Sequence, residues 1–272
     1  MYQTYWGLSE PPFRTSLDPN HYYKSATHDE ALARLQYLVD NHRRLGLLSG
    51  PHGSGKSFLQ KVFARELATQ GHAVVSLSLL GISVAEFEWT IASQLGTKLR
   101  QDAPTFQIWR AIVDRLIENR YQQISTVFLL DDVDQGSADI ITHIIRLVQV
   151  DPSLDSRVTV IVTSTGHRGE KLDHRLLDLA ELRVELGCWQ ESETSDYLSH
   201  CLSEAGRTEP VFDDGATNRL HELCEGIPRQ INQLAHLVLL AGAGQESTSV
   251  NEAIVESVYQ ELLVTINREL QS

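Results

Sequence analysis

Residues 50–57 read GPHGSGKS and fit the pattern G-x-x-x-x-G-K-[ST]. An apolar run precedes this stretch and a segment with helical periodicity follows it, which indicates a strand, a turn and a helix. Glycines let backbone N–H groups curl around phosphate oxygens, and the positive end of the following helix adds to the attraction. A glycine-rich turn without a ligand is the alternative, but the flanking elements favour a phosphate-binding loop.

Two side chains of this stretch suit a nucleotide that carries a metal ion. Lys56 would reach the β- and γ-phosphates, and Ser57 would give its hydroxyl to Mg²⁺. We expect the nucleotide to contact consecutive residues of the loop and the helix start: Pro51, His52, Gly53, Ser54, Gly55, Lys56, Ser57 and Phe58.

Around the loop, apolar runs alternate with helical segments through residues 1–187, which predicts a five-stranded parallel sheet flanked by helices. The predicted strands are 45–49, 73–79, 126–131, 158–163 and 182–186. The predicted helices lie near 57–70, 84–95, 105–121, 138–149 and 169–178. Another helix precedes the first strand, with Thr27 and Glu30 as its capping box.

Beyond residue 187 only helical periodicity remains, over 191–205, 213–224, 228–241 and 250–269. Ser249 and Glu252 are the predicted capping box of the last helix. The change predicts two domains. Residues 1–187 form an α/β nucleotide-binding core that carries an aromatic N-terminal arm (residues 1–25), and residues 188–272 form a small helical lid.

The stretch TVFLLDD (residues 126–132) ends a predicted strand in two acids. A nucleotide-bound Mg²⁺ also needs an acid at the end of an apolar strand, which Asp131 supplies. Asp132 then occupies the position of a carboxylate that orients water, although exposure to solvent or capping of a turn stays an alternative for it. Asp reaches about 1.5 Å less than Glu. Since small misplacements slow catalysis strongly, we expect slow hydrolysis.

Two further side chains are candidates for contact with the γ-phosphate. Thr165 follows the fourth predicted strand and could sense the phosphate, or its hydroxyl could satisfy a turn. Arg229 lies at the start of a helix, where a cation opposes the helix dipole, so a second task is indicated. A surface pair with a nearby acid is the alternative for Arg229.

Composition narrows the choice of partners. The net charge is −13, and residues 188–272 hold 4 Lys and Arg against 14 Asp and Glu, a poor match for nucleic acid. The cysteines Cys188, Cys201 and Cys224 have no metal-ligand spacing and are predicted to fill apolar space in a reducing compartment. The N-terminus lacks the features of a signal peptide, and the longest apolar stretch (residues 234–244) is too short to cross a bilayer.

Taken together, the chain resembles the AAA+ ATPases and, within them, the general secretion pathway protein A (ExeA-type) group. The similarity rests on YWGLSEPPFRTSLDPNHYYKSATHDEAL (residues 5–32), GPHGSGKS, FLLDD and GIPRQIN. The resemblance implies ATP as ligand, Asp131 as the Walker B acid, Asp132 as the catalytic position, Thr165 as sensor 1 and Arg229 as sensor 2. It also implies homo-oligomers with the nucleotide at the interface. Arg175 or Arg183 is the candidate arginine finger.

The predicted function is hydrolysis of ATP to ADP and phosphate by a cytoplasmic, Mg²⁺-dependent ATPase that drives or gates assembly of a larger complex. Contact with the inner membrane would come through a partner protein rather than by insertion. Two alternatives stay open. One is an ATP-gated binding switch with negligible turnover, and the other is a DNA-bound regulator of transposition, which the acidic lid disfavours.

Overall fold

The computed structural model describes residues 2–14, 16–100, 103–153, 155–166 and 172–269. Five strands form one sheet: β1 (Leu45–Gly50), β2 (Ala73–Ser78), β3 (Thr126–Asp131), β4 (Val158–Thr165) and β5 (Leu182–Glu185). Their order is β2-β3-β4-β1-β5, and every neighbouring pair is parallel. The predicted five-stranded parallel sheet is confirmed, and each strand begins at its predicted residue.

Helices cover the sheet and then form a cluster of their own. The first group is α1 (Tyr2–Trp6), α2 (Ala26–Asp40), α3 (Lys56–Thr69), α4 (Val84–Gln94), α5 (Thr105–Tyr121), α6 (Ala138–Val148) and α7 (His174–Leu179). The second is α8 (Glu191–Glu204), α9 (Asp214–Cys224), α10 (Pro228–Gly244) and α11 (Glu252–Glu269). Part of the predicted helix 169–178 lies outside the described residues. None of the helices in the described ranges combines the length and apolar character that crossing a bilayer requires.

Successive apolar side chains of β3 point to opposite faces of the sheet, and both faces are buried. Phe128 and Leu130 pack on one face with residues of α4, α5 and α6. Val127 and Leu129 pack on the other face with residues of α2 and α3. Because all strands run the same way, their carboxyl ends meet at one edge, where Gly50 of β1 lies beside Thr165 of β4.

The start of α2 differs from the predicted capping box of Thr27 and Glu30. The helix begins earlier, at Ala26, and the Ser25 hydroxyl accepts the backbone N–H of His28 as the cap. Thr27 instead donates its N–H and its hydroxyl to Glu193, both at 2.9 Å. The prediction was wrong because a carboxylate from a distant helix takes both donors of Thr27.

The start of α11 also differs from the predicted cap at Ser249. The helix begins at Glu252, and the side chain of Asn251 accepts the backbone N–H of Ile254 at 3.1 Å. Asn caps helices as well as Ser does, and Asn251 lies next to the first helical residue. The predicted capping box of Ser249 with Glu252 was therefore wrong.

The N-terminal arm packs against the C-terminal helices. Trp6, Leu8 and Phe13 are buried in one apolar cluster with residues of α8 to α11. The indole N–H of Trp6 donates to the carbonyl of Leu239 at 2.8 Å. We call this cluster the helical unit, and it includes residues of the N-terminal arm as well as of α8 to α11. The domain boundary at residue 187 stays a prediction.

The three cysteines are free thiols. Burial raises the pKa of Cys224 to about 12. Burial likewise raises the pKa of Cys201 to about 12, despite a hydrogen bond with Tyr197 that lowers it. Thiols with raised pKa values are poor nucleophiles at neutral pH, which agrees with a packing role for these two residues.

Candidate nucleotide-binding site

Residues 50–57 carry the chain from β1 into α3. Within this turn Gly53 and Gly55 have φ angles of 86° and 101°, where a residue with a Cβ is strained. A Cβ on Gly53 would lie 3.0 Å from Cβ of Arg229, and one on Gly55 would lie 2.7 Å from Nε2 of His28. Glycine is thus required at both positions for its backbone conformation and for lack of space.

Lys56 begins α3, and its side chain folds back over the turn. Nζ donates to the carbonyls of Gly50 at 2.9 Å and Pro51 at 2.8 Å. Burial lowers the pKa of Lys56, while the carboxylates of Asp131 and Asp132 act in the opposite direction. The ammonium group is therefore held at the turn by backbone oxygens, close enough to the acids to feel their charge.

A cavity of about 440 Å³ opens beside the turn, a size within the range of small-molecule sites. The predicted site residues that line it are His52, Gly53, Gly55, Lys56, Ser57, Phe58, Asp132, Thr165 and Arg229. Among the described residues, Pro51, Ser54 and Asp131 are predicted site residues that are not part of this lining. The structure thus brings the loop, one acid, one hydroxyl and one arginine to a single cavity.

Asp131, which ends β3, and Asp132, which follows it, have different hydrogen-bond partners. Asp132 adopts the left-handed conformation, with φ 58° and ψ 45°, which Asp tolerates better than most residues. Asp132 lines the cavity, and its carboxylate accepts a hydrogen bond from Ser78 Oγ at 3.3 Å. The carboxylate of Asp131 instead accepts a hydrogen bond from the hydroxyl of Thr163. Burial first, and then the charge of Asp131, raise the pKa of Asp132.

The end of β4 contributes a residue that the sequence reasoning did not select. The buried hydroxyl of Thr163 donates to Asp131 and accepts the backbone N–H of Asp132 at 3.0 Å. Thr165 lines the cavity, and its N–H donates to the carboxylate of Asp134 at 3.1 Å. Side chains two residues apart on a strand share a face, so Thr163 and Thr165 both face the same side of the sheet.

Arg229 reaches the loop from the helical unit. Its backbone N–H donates to the carbonyl of Gly53 at 3.3 Å, and Nη1 lies 3.2 Å from Nε2 of His52. Pro228 precedes it as the first residue of α10, a position where Pro suits the helix start. A movement of α10 would therefore move a cation relative to the loop.

Aromatic side chains from the N-terminal arm, α3 and the helical unit form one wall of the same cavity. The rings of Tyr22 and Phe58 lie 6.0 Å apart, and those of Trp189 and Tyr197 lie 4.8 Å apart. All four of these residues line the cavity. Flat apolar surfaces of this kind suit the base of a nucleotide, whose phosphates would lie at the loop.

His28 is a second residue that the sequence reasoning missed. It is buried in the first turn of α2, and Nε2 lies 3.0 Å from the carbonyl of Ser54 in the loop. The ring also contacts Trp189 of the aromatic wall. A histidine three residues after the helix cap carried no local signal of this contact.

Both candidate arginine fingers lie away from this cavity's lining in the described structure. Arg175 pairs with Asp173 and is largely exposed, and Arg183 donates to the carbonyl of Leu177 at 2.9 Å. An arginine finger acts on a neighbouring subunit, so the choice between the two stays a prediction.

The fold and the cavity together define a P-loop nucleotide-binding domain of the AAA+ class. Residues 39–176 match the AAA domain family, and the chain belongs to that family. It is also 28% identical over 261 residues to general secretion pathway protein A of Aeromonas hydrophila, which confirms the resemblance drawn from the sequence. That alignment covers 92% of this chain and 46% of the relative, so the chain spans less than half the length of that protein.

Solved structures of AAA+ ATPases share the fold at low identity. Cdc6p from Pyrobaculum aerophilum superposes with a TM-score of 0.68 at 16% identity, over 90% of this chain and 70% of the other. The ORC2 protein of Aeropyrum pernix superposes with a TM-score of 0.65 at 17% identity, over 93% of this chain and 72% of the other. The RuvB Holliday junction branch migration motor of Thermotoga maritima superposes with a TM-score of 0.60 at 17% identity, over 93% of this chain and 74% of the other.

Proposed function

We propose that this chain binds ATP with Mg²⁺ in the cavity and hydrolyses it slowly, and that the cycle drives or gates assembly of a larger complex. The observation that carries the proposal is the meeting of Lys56, Ser57, Asp132 and Arg229 at one cavity. The loop, the adjoining acid and the arginine come from three separate parts of the chain, and each has chemistry that a triphosphate needs.

The residues at the loop fit a phosphate chain and a metal ion. The N-terminal end of α3 follows the turn directly, and Lys56 adds a positive charge there. Ser57 and Asp131 offer the hydroxyl and carboxylate oxygens that Mg²⁺ prefers, so these two residues would hold it. When bound, Mg²⁺ would neutralise charge on the phosphates. The hydroxyl of Thr163 orients the Asp131 carboxylate for this role.

Hydrolysis would depend on Asp132. We assign it to orienting the attacking water, because Asp132 lines the cavity and its backbone is fixed by Thr163. Its side chain is about 1.5 Å shorter than that of Glu, so the water would be held less closely. Lys56 and Arg229 would offset charge that develops on the γ-phosphate, and Thr165 would sense the phosphate from β4.

The role in assembly rests on the relative and on the place of Arg229. General secretion pathway protein A is named for a secretion pathway, and its similarity to this chain covers both the sheet and the helical unit. Because Arg229 joins α10 to the loop, a change at the γ-phosphate would alter the position of the helical unit. We propose that this movement changes contacts between copies of the chain, and with a membrane-complex partner.

An ATP-gated switch with negligible turnover is the second candidate, favoured by the short side chain of Asp132. Phosphate release separates the two, because an ATPase releases more than one phosphate per chain and a switch does not. Native mass measurement with Mg·ATP, Mg·ADP and no nucleotide tests the assembly step. Assembly that needs ATP is expected, and an unchanged monomer under all three conditions would refute that part of the proposal.

A further inference from the structure

The ring of His28 lies between Ser54 of the phosphate-binding loop and Trp189 of the helical unit. Its exposed fraction is 5%, and those of its neighbours Ser54 and Trp189 are 1% and 4%. Nε2 lies 3.0 Å from the carbonyl of Ser54, and Nδ1 lies 3.2 Å from Nε1 of Trp189. The three residues therefore form one buried chain of hydrogen bonds.

The partners decide where the proton of His28 resides. The indole N–H of Trp189 can only donate, so Nδ1 of His28, which also lies 2.7 Å from Ser25 Oγ, accepts. A neutral imidazole with an accepting Nδ1 carries its hydrogen on Nε2, which then donates to the carbonyl of Ser54. Burial also lowers the pKa of His28, in agreement with a neutral ring.

Fixing the carbonyl of Ser54 also fixes the next backbone N–H. The peptide bonds of the described chain are trans, so the N–H of Gly55 points away from the carbonyl of Ser54. His28 holds that carbonyl on its own side, and Gly55 lines the cavity. The ring therefore fixes the orientation of the N–H of Gly55, a residue that lines the space that we assign to phosphate.

Trp189 is in turn bound to the helical unit. Its backbone N–H donates to the carbonyl of Gly226 at 2.9 Å, in the turn that precedes α10 and Arg229. The neighbour of His28, Thr27, donates two hydrogen bonds to Glu193 in the first turn of α8. Two adjacent residues of α2 thus contact the start of α8, and Trp189 connects that contact to the turn before α10.

We propose that His28 is a positioning residue that orients the phosphate-binding loop and couples it to the helical unit through Trp189. The inference rests on the proposed binding of ATP at this loop. A nucleotide that contacts the Gly55 N–H favours the loop conformation that His28 holds. That conformation in turn favours the position of Trp189 and the α10 start.

The test compares ATP with adenosine, which has the base and sugar but no phosphate. We expect His28→Leu to weaken ATP binding about tenfold and to leave adenosine binding within about twofold of the unchanged protein. His28→Gln keeps a donor at the position of Nε2 and should restore most of the ATP affinity. His72→Gln, at the opposite end of the sheet from the loop, is the matched control and should have no effect on either ligand.

Trp189→Phe keeps an aromatic ring in the cavity wall and removes the indole donor to Nδ1 of His28, which keeps Ser25 Oγ as a neighbour at 2.7 Å. It should weaken ATP binding about threefold when made alone and have no further effect in the His28→Leu background. The reason is that Trp189 and His28 act through the same chain of hydrogen bonds. If His28→Leu does not fold, His28→Gln and Trp189→Phe decide the question alone. Equal losses for ATP and adenosine, or additive effects of the two substitutions, would overturn the proposal.

The imidazole tautomer provides a measurement that does not depend on nucleotide binding. Nitrogen-15 NMR of the full chain should show His28 neutral, with hydrogen on Nε2, and Trp189→Phe should change its Nδ1 shift. Hydrogen on Nδ1 would contradict the proposed positioning role. If the unchanged protein binds neither ATP nor adenosine while this tautomer is found, the proposed function fails separately from the orientation of the loop.

Discussion

The hydroxyl of Thr163 accepts the backbone N–H of Asp132 at 3.0 Å and donates to the neighbouring carboxylate of Asp131. One buried group thus fixes the backbone of the proposed catalytic acid and the side chain of the proposed metal-binding acid. This contact depends on β3 and β4 lying side by side, although their sequences are separated by α6.

Thr163→Val tests that contact, since it removes the hydroxyl and keeps the branched shape. We expect the rate of phosphate release to fall about tenfold or more, because both acids lose a fixed orientation. ATP affinity measured without metal should change little. The control is Thr159→Val, a buried hydroxyl on the same strand but far from the cavity. An equal loss of rate in both variants would contradict a specific role for Thr163.

Lys56→Ala tests nucleotide binding itself. Removal of a charge-assisted contact with the phosphates should weaken Mg·ATP binding at least about tenfold in a calorimetric titration. Lys61→Ala removes an exposed lysine from the same helix and should leave the affinity unchanged. Binding of Mg·ATP by the Lys56→Ala variant as tightly as by the unchanged protein would refute the proposed site.

Substitution of Asp132 separates the enzyme from the switch. Asp132→Asn should abolish phosphate release and keep ATP binding, because the amide cannot take a proton from water. Asp132→Glu adds the missing methylene and should raise the rate about tenfold or more. Asp139→Asn, at an exposed acid of α6, is the control. If neither substitution of Asp132 changes phosphate release, the assignment of Asp132 is wrong.

Arg229→Ala tests the contact between α10 and the loop. An arginine that contacts the γ-phosphate contributes to binding of ATP more than to binding of ADP. The variant should therefore lose about tenfold in ATP affinity and little in ADP affinity. Arg219→Ala removes an arginine of α9 that pairs with Glu256 on the other side of the helical unit, and it is the charge-matched control. Equal losses for both nucleotides would argue against γ-phosphate contact.

Glu88 gives a prediction about stability that does not involve the nucleotide site. Its carboxylate is fully buried in α4 without a hydrogen-bond partner, and Nε2 of His143 is 3.4 Å away. Burial raises the pKa of Glu88, against the opposing charges of His143 and Arg146. The folded chain thus keeps this proton to higher pH than the unfolded chain does.

The free energy of unfolding should therefore fall as the pH rises from the ordinary Glu value of 4.5 through the raised value of the folded state. Glu88→Gln removes the charge, and we expect it to stabilise the protein by about 1 kcal/mol at pH 8 and by less at pH 5. Denaturant unfolding at several pH values measures the difference. Glu66→Gln, at an exposed acid of α3, is the control, and its effect on the free energy of unfolding should not change with pH. If the effect of Glu88→Gln also does not change with pH, the prediction is contradicted.

The strands and the loop could be predicted because their signals are local. Apolar runs bounded by turns located all five strand starts, and the glycines of residues 50–57 lie next to one another in sequence. Pairing across the sheet is different. The order β2-β3-β4-β1-β5 puts Thr163 beside the acids, and no pattern within β4 distinguished Thr163 from Thr165 as the residue in contact with them.

The contacts of α2 could not be predicted from the sequence either, because their partners are distant along the chain. Ser25 and Thr27 are both good helix caps, and the sequence around them does not decide between the two. Glu193, 166 residues further along, decides the matter by accepting both donors of Thr27. His28 was missed for a related reason, since its partners Ser54 and Trp189 are brought to it only by the folded chain.

The packing of Trp6 against α10 has a consequence for folding during synthesis. The indole donates to Leu239, 233 residues later, and Arg207 donates to the carbonyl of Trp6 at 2.6 Å. During synthesis Trp6 must therefore wait for these much later residues before it finds its partners. Contacts of such long sequence separation form slowly. We expect the sheet to form before the helical unit. The side chain of Trp6 should stay accessible to chaperones until Leu239 has been synthesised.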